Sequence, residues 1–311
     1  MPATHPASPL VTAIDIGTNT LLAATGRVGV DGSLELVADR HTITRLGEGV
    51  DASRVLAPAA MERALGALRT FVEEARSLGT SAICAVATSA VRDALNRDEF
   101  LSRARVIAGP DVRVIDGDQE AKLTFRGAAL ATSIAEGSSV LAFDVGGGST
   151  ELAFGRVGEE PVWHRSIDVG SVRLTERVVR ADPPGESALD ELKLLVDAAL
   201  ANLPRPDQPF ALVGLAATVT TLVALANEGT LTFPATLARD AVSSLSRDLA
   251  RASLAVRRTM RGLDPRRADV IVAGAAIVDS IVAWSAAERL VVSPGGVRIG
   301  LLLERTQRTG I

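Results

Sequence analysis

Cysteine occurs once, at Cys84, and histidine three times, at His5, His41 and His164. No disulfide can form within the chain, and a zinc site of Cys/His type is excluded. Any metal must rest on oxygen ligands, which favours magnesium, manganese or calcium. Aromatic residues make up 3% and tyrosine is absent, so few stacking platforms exist for a base. No apolar run reaches the ~20 residues a membrane helix needs, and no membrane partner is expected. Residues 1–9 lack a basic segment leading into an apolar core, so no secretory signal is expected. With the lone cysteine, that points to a reducing, cytoplasmic setting. A net charge of −4 gives nucleic acid no bulk attraction, and an anionic substrate would need a local patch of arginines.

What is present is globular composition: 47% hydrophobic and 23% charged over 311 residues, enough for two domains with separate cores. Residues 10–28 read as strand, polar turn and strand, and a third strand at 34–38 follows a turn at Asp31-Gly32. Residues 58–78 have helical spacing, with Pro58 at the start and Gly79 as the stop. Strands at 81–87 and 112–115 and a helix at 119–131 follow, and Thr88-Ser89 marks a helix cap between them. The pattern then restarts, with strands at 139–144 and 151–156 around a Gly146-Gly147-Gly148 turn. AIDIGTNT and AFDVGGGST share the order apolar strand, aspartate, apolar residue, Gly-rich turn, hydroxyl residue. Asp15 and Asp144 stand about 129 residues apart, roughly one domain, which predicts a duplication. The remainder is expected to be mostly helical, with strands near 210–213 and 289–292. The expected domains are 1–132 and 133–311. An amphipathic helix at 297–308 is a candidate face for a neighbour, making a homodimer a possible assembly.

Five segments carry candidate chemistry. In Asp144 to Glu151, three glycines let backbone N–H groups approach an anion, and a hairpin would bring both carboxylates to one mouth. That suits a hard cation beside phosphate; the plain alternative is a Gly-rich hairpin with an acid at each end. In the first turn, Thr18, Asn19 and Thr20 supply donors and Asp15 a carboxylate for a metal-bound water, unless they only satisfy local backbone. Glu120 opens a helix, either as a general base at a cleft or as an ordinary acid complementing the helix dipole. Thr88, Ser89 and Arg92 lie where a strand meets a helix N-terminus, able to grip phosphate or simply to cap. Gly214 to Thr221 is a similar strand-to-helix turn.

These segments, with IDVGSVRLTE, RRADVIVAGAAIV and SPGGVRIGLLLE, resemble the exopolyphosphatase and guanosine pentaphosphate phosphatase (Ppx/GppA) family of the actin, sugar kinase and heat-shock ATPase superfamily. The resemblance runs along nearly the whole chain and implies an α/β fold, two ribonuclease H-like domains flanking a cleft. It implies Glu120 as the base activating water, with Asp144 and Glu151 as metal- and water-positioning acids. It implies Gly146, Gly147, Gly148 and Ser149 as the phosphate loop, opposite Thr18 and Asn19, and Arg92 and Arg267 as phosphate-gripping arginines. Mg2+, with Mn2+ possible, on Asp15, Asp144 and Glu151 is the cofactor expected. Arg126, Arg173 and Arg298 are further candidates for an anion track between the lobes.

Two positions depart from the family pattern. Asp116 and Lys122 replace a more usual serine and arginine around Gly117-Asp118-Gln119-Glu120, adding negative charge and losing a bidentate grip. Long family members also carry an extra helical region with a His-Asp pair; with no histidine after His164, that region is expected to be absent. The expected activity is release of orthophosphate from inorganic polyphosphate, shorter chains being the natural substrate. The alternatives are the same chemistry on guanosine pentaphosphate, or a non-catalytic sensor of guanosine tetra- or pentaphosphate, which the presence of Glu120 and Glu151 disfavours. A kinase is disfavoured by the lack of an acceptor-binding insertion.

Overall fold

The computed structural model describes residues 8–29, 33–130 and 134–308. The turn expected at Asp31-Gly32 and the domain boundary expected at 132/133 lie outside those residues. The first lobe runs β1 (Val11–Ile16), β2 (Thr20–Val28), β3 (Leu34–Ile43), α1 (Val50–Ser53), α2 (Pro58–Ser77), β4 (Ala82–Ala87), α3 (Ser89–Asp93), α4 (Arg97–Ala108), β5 (Val112–Val114) and α5 (Gly117–Leu130). The second runs β6 (Ser139–Val145), β7 (Thr150–Arg156), β8 (Trp163–Ile167), α6 (Ser171–Val178), α7 (Glu186–Ala201), β9 (Ala211–Leu215), α8 (Ala216–Ala226), β10 (Ala235–Ala238), α9 (Arg239–Arg251), α10 (Leu254–Arg257), α11 (Ile271–Ser285), β11 (Arg289–Val292) and α12 (Val297–Arg308).

The first sheet has the order β3-β2-β1-β4-β5, and the second β10-β11-β9-β6-β7-β8. Read from β8, the second sheet repeats the first strand for strand and adds β10 at its far edge. In both, the opening strand pairs antiparallel with the second and parallel with the fourth. This is the ribonuclease H-like order twice over, so the duplication expected from the two Asp-Gly turns is present in the topology.

Burial explains why β1 carries apolar side chains on both faces, interrupted by Thr12 and Asp15: a central strand covered on both sides cannot alternate polar and apolar residues. Ile14 and Ile16 join one core with α2 and α4, while Val11 and Ala13 point the other way. The same period of two divides β4, with Ala85 and Ala87 on one side and Cys84 and Val86 on the other. Each fully buried Ile or Leu contributes about 1.5–3 kcal/mol to these cores. β6 behaves alike, sending Leu141, Phe143 and Val145 into the core under α11 and Val140 and Ala142 toward Phe125 and Ala128 of α5. α11 is apolar over most of its circumference because it is buried there, with Asp279 on the remaining stripe between partly exposed Ala276 and exposed Ala283.

α5 therefore touches both sheets, and α12 packs beside it. Val297, Ile299, Leu301 and Leu302 of α12 complete the first lobe's core with Val11, Ala24 and Leu123. The last helix thus returns to the first lobe although it follows the second in sequence. Its apolar face, expected to meet a neighbouring molecule, is spent inside the chain. The crossing is close: a Cβ on Gly300 would lie 2.0 Å from the Leu123 carbonyl oxygen. Among the described residues no helix is long and apolar enough to cross a membrane.

The strands read less well from sequence are edges. β3 extends to Ile43, beyond the expected 38, and β8 and β10 are not anticipated at all. Edge strands are half solvated and carry polar residues such as His164, Arg165 and Ser166, so their apolar signal is weak.

Candidate active site

Two hairpin turns meet between the lobes. Gly17 N–H donates to the Thr20 carbonyl at 3.1 Å, and Gly146 N–H to the Ser149 carbonyl at 3.0 Å, the same closure in each half. In the second turn the carbonyls of all three glycines are tied back to the start of α6. Ser171 N–H reaches Gly146 O at 2.9 Å, Val172 and Arg173 N–H reach Gly147 O at 2.8 and 3.0 Å, and Arg173 Nε reaches Gly148 O at 2.6 Å. In a trans peptide C=O and N–H point in opposite directions. Anchoring those oxygens therefore turns the N–H groups of Gly147, Gly148 and Ser149 the other way, and they donate to no described group. The result is a preformed anion nest. Glycine is required because the first lobe presses on the turn: a Cβ on Gly147 would lie 2.9 Å from Thr18 Cβ, and one on Gly148 2.4 Å from Ser89 Oγ.

The expected acids converge. Asp15, Glu120, Asp144 and Glu151 line one cleft of about 420 Å³, together with Thr18, Asn19 and the Gly146 to Ser149 turn. Asp15 and Asp144 come from the central strands, and Glu151 faces Asp144 directly across the β6–β7 ladder. Glu120 comes from the first turn of α5 and is only 6% exposed, so it is no ordinary solvated helix-start acid. Its Oε2 accepts from Arg92 Nη1 at 2.9 Å, and Ser166 Oγ donates to Glu151 Oε1 at 2.7 Å.

Burial dominates their titration. It holds Asp15 well above the usual carboxylate range, with Glu120 and Asp144 adding repulsion and Arg298 opposing. Asp144 is pushed up to about 7 by burial and then by Glu120. Glu151 is raised strongly by burial, Glu120 and Asp144, against the hydroxyls of Ser166 and Ser149. Burial raises Glu120 as well, but Arg92 pulls it back toward the ionised form.

The five arginines divide. Arg267 lines the cleft, and its Nη2 donates to Thr20 Oγ1 at 2.5 Å across the lobes. Burial lowers it to about 10, a desolvated cation with no carboxylate in salt-bridge contact among the described residues. Arg298 also lines the cleft but is held bidentately by Asp39 at 2.8 and 2.7 Å. The other three stand outside the lining: Arg92 is engaged by Glu120, Arg126 by Glu160, and Arg173 lies behind the Gly-rich turn. Asp116 is exposed and caps α5 through Gln119 N–H at 2.7 Å, so its charge stays out of the cleft, as does that of exposed Lys122. Gly117 has to remain glycine, since a Cβ there would lie 2.4 Å from Ser166 Cβ.

Thr88 and Ser89 reach the cleft, although Thr88 makes no side-chain cap bond. The turn at Gly214 to Thr221 reaches it too, through Ala216, which holds the left-handed φ of 65°. The sequence reading passes over Ser166, Ser171 and the anchoring role of Arg173. Only their recurrence in one short block, Ser166 to Arg173, signals them.

The donor set fits a hard divalent cation: buried oxygen ligands with raised proton affinity, and Asp15 Oδ1 and both Asn19 amide atoms buried without partners. No three His, Cys, Asp or Glu side chains among the described residues form a ready-made cage.

A sequence profile of the Ppx/GppA phosphatase family matches residues 28–309. The chain is 36% identical over 288 residues to exopolyphosphatase 2 of Mycobacterium tuberculosis, covering 87% of this chain and 89% of that one. It superimposes on the crystal structure of the Aquifex aeolicus Ppx/GppA family member with TM-score 0.81 and 27% identity, over 97% and 99% of the two chains. An exopolyphosphatase from Cytophaga hutchinsonii gives TM-score 0.86 at 25% identity, over 96% and 98%.

Proposed function

Because the chain belongs to the Ppx/GppA phosphatase family, we propose that it hydrolyses the terminal phosphoanhydride bond of inorganic polyphosphate and releases orthophosphate. The observation that carries this reading is one cleft holding three undirected loop amides, the carboxylates of Asp15, Glu120, Asp144 and Glu151, and an Arg267 guanidinium in salt-bridge contact with no carboxylate among the described residues. A desolvated cation beside free N–H groups calls for a multiply charged anion. The name exopolyphosphatase borne by similar proteins supports the choice of polyphosphate.

In this reading Gly147, Gly148 and Ser149 N–H hold the terminal phosphoryl oxygens, with Thr18 and Asn19 opposite, and Arg267 holds a phosphate farther along the chain. Glu120 accepts a proton from a water whose oxygen attacks phosphorus. The bridging P–O bond breaks, and its electron pair stays with the shortened chain. Arg92 favours the ionised form of Glu120 against the burial that raises it and holds it in place, and Ser166 orients Glu151. Such transfers are catalysed mainly by positioning and charge neutralisation. Asp15, Asp144 and Glu151 are the residues that would hold magnesium, or manganese. The cation's contribution when bound is neutralisation of phosphate charge, and water and substrate oxygens would complete its shell.

A second reading, guanosine pentaphosphate as substrate, is favoured by apolar residues in the lining of the same cleft. Ala224, Leu231 and Phe233 are side chains that a bare phosphate chain does not use. Orthophosphate release from polyphosphate and from guanosine pentaphosphate, each with magnesium, separates the two. Glu120→Gln should lower kcat by about 10²–10⁴ with the fold retained. Unchanged turnover would remove Glu120 as the base, and faster release from the nucleotide would favour the second reading.

A further inference from the structure

Arg173 leaves α6 as a buried guanidinium behind the Gly-rich turn, lining a small void there and not the cleft. Its three nitrogens go to three places. Nε donates to the Gly148 carbonyl at 2.6 Å, Nη1 to Asp51 Oδ1 at 2.5 Å, and Nη2 to Asp93 Oδ2 at 2.7 Å, with Ser89 Oγ at 3.4 Å. Gly148 belongs to the second lobe, and Asp51, Ser89 and Asp93 to the first. Neighbours on the same helix reinforce the seam. Arg177 grips Asp51 at 2.5 and 2.7 Å, and Glu176 Oε1 accepts from Gly49 N–H at 2.9 Å.

A guanidinium is a rigid planar fork. When its two Nη ends are fixed on the first lobe, the direction of Nε is fixed as well. Nε in turn holds the Gly148 oxygen, and the far side of that peptide is Ser149 N–H. Gly146 and Gly147 carbonyls have backbone donors from α6, whereas among the described residues the Gly148 carbonyl has only this side chain as donor. The aim of the third amide therefore depends on where the opposite lobe stands.

We infer that Arg173 is a positioning residue that couples the approach of the two lobes to the aim of the Ser149 amide at the phosphoryl group. This rests on the Gly-rich turn acting as the phosphate loop. With the lobes apart, the fork loses Asp51 and Asp93, Asp168 of its own lobe standing 4.0 Å from Nη2 and beyond hydrogen-bond range, and the Gly148–Ser149 peptide is free to rotate. With them together, the nest is complete.

The test is Arg173→Lys and Arg173→Met, assayed with magnesium and polyphosphate of defined length. Lysine keeps a buried charge for Asp51 or Asp93 but cannot also hold Gly148. Both variants should lose about 100-fold in kcat, as when one donor is removed from an oxyanion site, while KM stays within about threefold. A merely structural residue would lower the melting temperature and leave kcat per folded molecule unchanged. A folded Arg173→Lys enzyme with kcat within about threefold of the parent overturns the inference; if the methionine variant does not fold, lysine alone decides. A ligand-free measurement separates this from the functional reading. The Ser149 amide should exchange with solvent at least about tenfold faster, or shift its ¹⁵N resonance, in Arg173→Lys. If the parent releases no orthophosphate, the functional reading fails, and an unchanged Ser149 amide would then overturn the role of Arg173 as well.

Discussion

Replacing Asp144 by asparagine should stabilise the cation-free protein above neutral pH, although it removes a proposed metal ligand. Asp144 has an ordinary value of 3.8 and is pushed up to about 7 in the fold, first by burial and then by Glu120. Below pH 3.8 the group is protonated folded or unfolded and favours neither. As pH rises, the unfolded chain releases its proton first, so stability is lost progressively until the folded value near 7 is passed. At about 1.36 kcal/mol per pH unit the ceiling is about 4 kcal/mol. Asp144 is partly open to the cleft, and solvent screening reduces the expected effect to about 2 kcal/mol. Neighbouring Asp15 and Glu151, which Asp144 also repels, push the effect in the same direction. The measurement is urea unfolding of the parent and Asp144→Asn in chelator at pH 4 and pH 8. The variant should gain at pH 8 relative to pH 4. A difference between the two proteins that is the same at both pH values would refute the reasoning. Added magnesium should stabilise the parent at pH 8 more than the variant, by mass action on the folded state.

Arg267→Met should raise KM for polyphosphate by about tenfold or more, the scale of one charge-assisted hydrogen bond, with kcat changed less; an unaltered KM would place substrate elsewhere. Gly300→Ala should cost about 1–3 kcal/mol in urea unfolding, because the added Cβ meets the Leu123 carbonyl at 2.0 Å. An unshifted midpoint would show that α5 and α12 do not cross so closely.

The two Asp-Gly turns were legible because their chemistry is local. An aspartate ending an apolar strand, followed by a turn of glycines, dictates a buried acid beside exposed amides wherever that strand is packed. The repeated pattern about 129 residues later correctly implied a repeated sheet. Glu120 was legible as a helix-start acid, but its burial was not, because that depends on α5 being clamped between two sheets. The arginines were the least legible. A guanidinium reaches several ångströms in any direction, and whether it meets substrate or a carboxylate depends on which partner the fold supplies. Arg92, Arg126 and Arg173 found carboxylates, Arg298 found Asp39, and Arg267 found Thr20 with no salt-bridge carboxylate among the described residues.

The sequence by itself determined the duplicated architecture and the acid–glycine turns, since strand periodicity and turn chemistry act between residues a few positions apart. Tertiary structure alone decided three things: that α12 returns to the first lobe, that Arg173 works from behind the turn, and that four acids share one desolvated space. Each depends on contacts between segments far apart in the chain, and electrostatics in such a space is set by what surrounds a group and not by its neighbours in sequence.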